Sequence, residues 1–187
     1  MNTSNPALIV IDVQNGIDDS DYWGGNRNNS EAEENIQKLI NGWRAKGLPI
    51  FFVKHNSALQ ESPFRPGQTG NDFKSFIVPA TDEVIITKST TSAFVNTSLK
   101  DELAAGEIQE VVIVGFVTNN SVEATARMAG DMGYKTYVVS DATACFDKVG
   151  YNNIGFAAEL IHMISLSNLH EEYAMILNTE EILNLNS

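Results

Sequence analysis

EVVIVGFVTNNSVEATAR, residues 110 to 127, changes its period partway along, and that change decides how the rest of the chain is read. Val111 to Val114 form an unbroken β-branched apolar run, which suits a strand buried on both faces of a parallel sheet. Gly115 is expected to end it. From Ser121 onward Val122, Thr125, Ala126 and Ala129 recur at the spacing that keeps one helix face inward. A turn that delivers Ser121 to a helix start, just beyond the carboxyl end of a buried strand, places it in the crevice where open α/β sheets bind ligands. The N–H groups of a first helical turn lack intrahelical partners, so they can hold a developing oxyanion. Ser121 is therefore the first candidate for a functional site.

Working outward, Ala7 to Val13 reads as a second fully buried strand that closes on Asp12. Polar, glycine-bearing sequence follows Asp12, which favours a functional carboxylate over a helix cap. Ser30-Glu-Ala-Glu33 has the spacing of a capping box, opening a helix to about Lys46 with Gly47 as its exit and Trp43 on its core face. Pro49 to Lys54 is the next strand. His55 to Pro79 is a long aperiodic stretch of the kind that forms lids or binding loops. In it Arg65 is either a bidentate clamp for a substrate carboxylate or a solvated side chain. Val84 to Thr87 makes a third strand with Lys88 at its end. Ser98 to Asp101 reads as another capping box, for a helix stopping at Gly106. Thr136 to Val139 forms a fifth strand ending at Asp141, Phe156 to Leu169 a long helix, Tyr173 to Leu177 a sixth strand, and Thr179 caps a last helical turn. Strands alternating with helices imply βαβ units, hence an α/β fold: a three-layer α/β/α domain over residues 1–187, its six-stranded, mostly parallel sheet covered by helices on both faces.

The bulk properties limit what such a domain does. The chain has 187 residues, 43% apolar and 19% charged, with a formal charge of −12. That surface repels phosphate backbones and anionic lipid, so neither nucleic acid nor membrane is expected as a partner. The opening MNTSNPALIVID has no cationic start or signal-like apolar core, and a soluble, cytoplasmic protein is expected. One cysteine, Cys145, excludes an internal disulfide and reads as small apolar filler. His162 and His170 read as structural histidines.

Asp12, Lys88 and Ser121 each stand at a strand end, and if strands one, three and four are neighbours they converge as base, cation and nucleophile. Tyr22, Trp23, His55 and Phe94 follow strand ends and are the expected pocket wall for a small-molecule substrate, with Gln14 and Thr118 beside them.

The run Gly115 to Arg127, GFVTNNSVEATAR, resembles the G-x-x-T-x-x-C-V-x-x-T-A-R signature of the isochorismatase-like cysteine hydrolases. Asp12 matches the aspartate of their L-I-V-I-D-V-Q opening, and Lys88, with Ser92 and Phe94, matches their K-x-x-x-S-A-F segment. The resemblance covers nearly the whole chain. It implies the fold just described, an Asp-Lys-Cys triad that hydrolyses a C–N bond of a small amide or ureide through a thioester, and commonly a homodimer or larger homo-oligomer. It also implies an oxyanion hole from the N–H groups of Val117 and Ser121, set by a cis peptide between Phe116 and Val117. Nicotinamidases of this family add a metal bound by an aspartate and paired histidines. This chain has only His55 in the corresponding loop, so neither a catalytic metal nor another cofactor is expected.

Serine at position 121 departs from the signature and leaves three readings open. The serine replaces a natural cysteine as a trap that holds substrate unreacted. It is natural, in a weakened enzyme or a non-catalytic small-molecule-binding protein. Or no thiol is needed, because Asp12 protonates a vinyl ether as in isochorismatase chemistry, which requires a raised carboxyl pKa.

Overall fold

The computed structural model describes residues 5–185. Its centre is a six-stranded sheet in the order β3 (Val84–Lys88), β2 (Ile50–His55), β1 (Ala7–Ile11), β4 (Glu110–Phe116), β5 (Lys135–Ala144), β8 (Met175–Leu177). Every neighbouring pair runs parallel. β1 is buried along its full length, and alternate residues serve opposite layers. Leu8 and Val10 pack with Val112 and Val114 under α2 (Ala32–Ala45), which follows the single turn α1 (Ser20–Trp23), and under α6 (Thr179–Leu185). Ala7, Ile9 and Ile11 pack with Val111 and Ile113 under α3 (Leu99–Ala105), α4 (Glu123–Asp131) and α5 (Ala158–Leu169). The architecture is the three-layer α/β/α sandwich expected from the alternation. No helix among the described residues is long and apolar enough to cross a membrane.

Several expected boundaries move, each for a local reason. β4 does not stop at Gly115. It runs to Phe116, with Gly115 at φ 114° inside the strand because a Cβ there would lie 2.0 Å from the carbonyl oxygen of Ile11. β5 passes through Asp141 to Ala144 across a register shift against β4, and Asp141 accepts from the backbone N–H and hydroxyl of Thr179 instead of ending a strand. The Ser30 capping box is absent, since the Glu33 carboxylate pairs bidentately with Arg27 at 2.7 and 2.8 Å. Ser98 caps α3 with no side-chain bond, and the left-handed residue beyond that helix is Glu107, φ 53°, while Gly106 keeps a negative φ. The true capping box lies at α6: Asn178 accepts from Glu181 N–H at 2.9 Å and Glu181 from Asn178 N–H at 2.8 Å, so Asn178 takes the role expected of Thr179. A short antiparallel hairpin, β6 (Lys148–Val149) with β7 (Gly155–Phe156), was not foreseen.

The order reverses on either side of the β1–β4 pair, so the switch-point crevice opens at the carboxyl ends of these two strands. Asp12 follows one and the turn bearing Ser121 follows the other.

Candidate active site

Four side chains meet at that crevice. Lys88 Nζ, fully buried, donates to Asp12 Oδ2 at 2.7 Å and to Ser121 Oγ at 3.2 Å. It also lies 3.0 Å from His55 Nδ1 and 3.1 Å from the Thr90 carbonyl oxygen. An ammonium has three hydrogens for these four acceptors, so the lysine is fully engaged as a cation. Asp12 is almost as buried, and its second oxygen, Oδ1, is the one buried side-chain polar atom among the described residues with no hydrogen-bond partner. A buried carboxylate oxygen left open is costly unless something binds or reacts there.

The three distant residues therefore meet, but not as simple neighbours. β2 lies between β1 and β3, so Lys88 starts two strands from Asp12, roughly 10 Å across the sheet at the usual strand spacing. A lysine side chain spans most of that gap, passing the end of β2 where His55 is its register partner. Asp12 covers the rest by leaving β1 in a left-handed conformation, φ 53°, a conformation that aspartate tolerates better than most residues.

The turn carrying Ser121 is wider than an α-helical one. Thr118–Val122 is a π-type turn fused to α4, Val122 N–H bonds back to Val117 O at 3.3 Å, and the Phe116–Val117 peptide is cis. Thr125 Oγ1 donates to Ser121 O at 2.7 Å and accepts from Ala93 N–H at 3.0 Å, which ties this turn to the segment following Lys88.

The expected pocket residues divide into walls and braces. Trp23 stacks on Phe146 at 6.0 Å and packs on Phe64 at 5.2 Å, and Phe64 in turn faces His55 at 6.0 Å, giving an aromatic wall that leads to Lys88. Trp23, Phe146, Val117, Asn119 and Asn120 line a cavity of about 300 Å³ together with Asp147 and Lys148. Tyr22 stands partly exposed against Trp23. Gln14 is buried, and its amide donates to His55 O and Asn71 O and accepts from His55 N–H, bracing the ends of β1 and β2. Thr118 is buried and faces His162 Nδ1 at 2.8 Å. Phe94 stacks on Tyr134 at the opposite, amino-terminal end of β5 and belongs to the core. Arg65 is exposed.

Phe64, Phe146, Asn119 and Asn120 were missed. The two asparagines stood in the quoted stretch immediately before Ser121, a position that could have nominated them. Phe146 lies just beyond a β5 that runs to Ala144, past the Asp141 expected to close it. Phe64 owes its place to buried Asn71, whose Nδ2 lies 2.7 Å from Phe64 O, 2.9 Å from His55 O and 3.0 Å from Asn56 Oδ1, folding the long loop onto β2.

Cys145 is confirmed as filler: it is fully buried, and burial pushes its thiol up to about 12. No group of three or more His, Cys, Asp and Glu among the described residues is placed to hold a metal ion. His55 and His162 are both held below the ordinary histidine value of 6.5, chiefly by burial, with the Lys88 charge adding to the effect at His55. The unfolded chain therefore takes up protons at a higher pH than the folded one. Stability is fully present above about pH 6.5 and is lost as pH falls from there through the lower folded values. Urea midpoints are expected to drop between about pH 7 and about pH 5, and less steeply in His55→Asn. An unchanged pH dependence in that variant would show that His55 is not the residue responsible.

The isochorismatase domain family matches residues 6–181. Isochorismatase family protein YrdC of Bacillus subtilis (strain 168) is 43% identical over 95% of this chain and 94% of its own length. Nicotinamidase 3 of Arabidopsis thaliana is 28% identical over 97% of this chain and 88% of its own. The crystal structure of an isochorismatase-family protein from Chromobacterium violaceum superposes with a TM-score of 0.92 at 38% identity, covering 98% of this chain and 94% of that one.

Proposed function

Starting from the fact that the chain belongs to the isochorismatase family of hydrolases, we propose that it cleaves a C–N bond of a small amide or ureide at the Asp12, Lys88 and Ser121 cluster. The observation that carries this reading is the open oxygen of Asp12. Lys88 occupies Oδ2 and also donates into Ser121 Oγ, which leaves the hydroxyl hydrogen to be given away and Oδ1 to receive it. The ammonium steadies negative charge on both partners.

In the proposed reaction Ser121 Oγ attacks the substrate carbonyl carbon while its proton passes to Asp12 Oδ1. The N–H groups of Val117 and Ser121 receive the oxyanion. The C–N bond breaks, Asp12 returns the proton to the departing nitrogen, and an acyl ester remains on Ser121. Water then attacks that ester, losing a proton to Asp12, and the acid product leaves as Ser121 regains its hydrogen. A serine needs its base to act together with attack, whereas a cysteine here would ionise beforehand beside Lys88, so serine is the slower nucleophile. Vinyl-ether protonation fits less well, because Asp12 Oδ2 is taken up accepting from Lys88 Nζ at 2.7 Å and the open Oδ1 is placed to receive a proton from Ser121. The substrate is a small molecule held against the Trp23, Phe64 and Phe146 wall. That Nicotinamidase 3 is a relative favours trying flat amides first.

The test is a panel of small amides, ureides and nicotinamide run against the chain and its Ser121→Cys variant. Ser121→Cys is expected to create or raise amide hydrolysis, and adding Asp12→Asn to it to remove about 10²- to 10⁴-fold of the rate. If Ser121→Cys stays inert on every amide while the fold is intact, a binding role replaces hydrolysis.

A further inference from the structure

The reacting groups do not explain what keeps their turn wide. The π-type Thr118–Val122 turn is an uncommon backbone form, and side chains on one face of α5 meet it at its start and just past its end. At the start, Thr118 Oγ1 and His162 Nδ1 are 2.8 Å apart in the interior. At the far end, the hydroxyl of buried Ser165 donates to the Glu123 carboxylate in a short hydrogen bond. Ser165 Oγ also lies 3.4 Å from Thr118 O, but it has one hydrogen and the charged acceptor takes it. His162 and Ser165 are three residues apart, and so share a helix face.

The other edge of the imidazole lies beside Asn29. His162 Nε2 lies 3.4 Å from Asn29 Nδ2, and Asn29 gives its amide hydrogens to Ser140 O and Thr143 O, within the part of β5 where the register against β4 shifts. His162 is thus wedged between the β5 irregularity and the turn. It does not line the cavity beside Val117.

We infer that His162 and Ser165 are positioning residues of the active site: together they fix the pitch of the Thr118–Val122 turn, and with it the reach from position 121 to Lys88 and the aim of the Val117 N–H. This rests on the proposed role of position 121, so the experiment measures that position without any substrate. In the full-length Ser121→Cys chain, the rate at which iodoacetamide alkylates the introduced thiol is followed against pH. Cys145, buried with its thiol pushed up to about 12, should stay silent, as the unsubstituted chain will verify.

His162→Phe in this background is expected to slow alkylation about tenfold near neutral pH and to move its pH profile upward. His162→Asn keeps a polar atom where Nδ1 stood and should recover the rate to within about threefold of the starting chain. If His162→Phe does not fold, Ser165→Ala serves as the second variant, with an expected slowing of about threefold. A folded variant of either residue with unchanged rate and profile overturns the inference, as does a His162→Asn chain as slow as His162→Phe. The ratio of variant to starting chain judges the clasp. The absolute thiol pKa, compared with an ordinary value of about 8.5, judges the catalytic reading separately.

Discussion

Lys88→Met is expected to destabilise the fold by about 3–5 kcal/mol at neutral pH, because it leaves the Asp12 carboxylate buried with neither oxygen paired to a cation. The lysine side chain is fully covered and the aspartate nearly so, which means little water reaches either charge. Methionine preserves most of the volume, so packing loss is small beside the stranded charge. One consequence distinguishes this cause from a generic core defect: Asp12→Asn added to Lys88→Met should restore most of the stability. Asparagine suits the rescue because it tolerates the left-handed backbone at position 12. Urea denaturation of the parent, both single variants and the double variant gives the coupling directly. A Lys88→Met chain as stable as its parent would mean that the ion pair does not govern this site, and the proposed division of labour between cation and base would fall with it.

The pair is an expensive way to hold a sheet together, since apolar residues of similar volume would serve stability as well or better. What it provides is a fixed cation within reach of Ser121 and a carboxylate with one open oxygen. The sequence carried part of this arrangement. β1 and β4 were legible because burial on both faces leaves an apolar run without alternation, and Asp12 stood out as an acid closing such a run. The left-handed turn at Asp12, and the reach of Lys88 past β2, were not legible, because both depend on strand order and local dihedrals that no residue pattern encodes.

Side chains at strand ends were harder still. Proximity to the crevice nominated Gln14 and Thr118 equally with Trp23 and His55, yet each of the first two is spent on holding backbone or helix. A polar residue at a strand end has unpaired main-chain groups nearby, and satisfying them competes with facing a ligand. The Ser30 capping box failed for a related reason: Glu33 had a stronger partner in Arg27, folded against it from the preceding loop. Asn178 with Glu181 had no such rival.

Gly115→Ala is expected to cost more than about 4 kcal/mol, a large share of the roughly 5–15 kcal/mol that holds most domains folded. Gly115 pairs with Ile11 in the central β1–β4 contact. A Cβ built there meets Ile11 O at 2.0 Å and Ile11 C and N at 2.8 Å, all backbone atoms that cannot turn aside as a flexible side chain would. The φ of 114° adds conformational strain to the collision. Gly25 separates the two effects, since it has a similar φ of 105° but nothing within 4 Å of the added carbon. Gly25→Ala should therefore show only the conformational part, about 1–2 kcal/mol. Thermal melts of both variants make the comparison, and equal losses would refute the steric argument. If Gly115→Ala survives at all, β1 must have moved at Ile11, one residue before Asp12. Its thiol reactivity in the Ser121→Cys background should then fall along with its stability, because the carboxylate and the cation it holds would no longer meet position 121 in the same place.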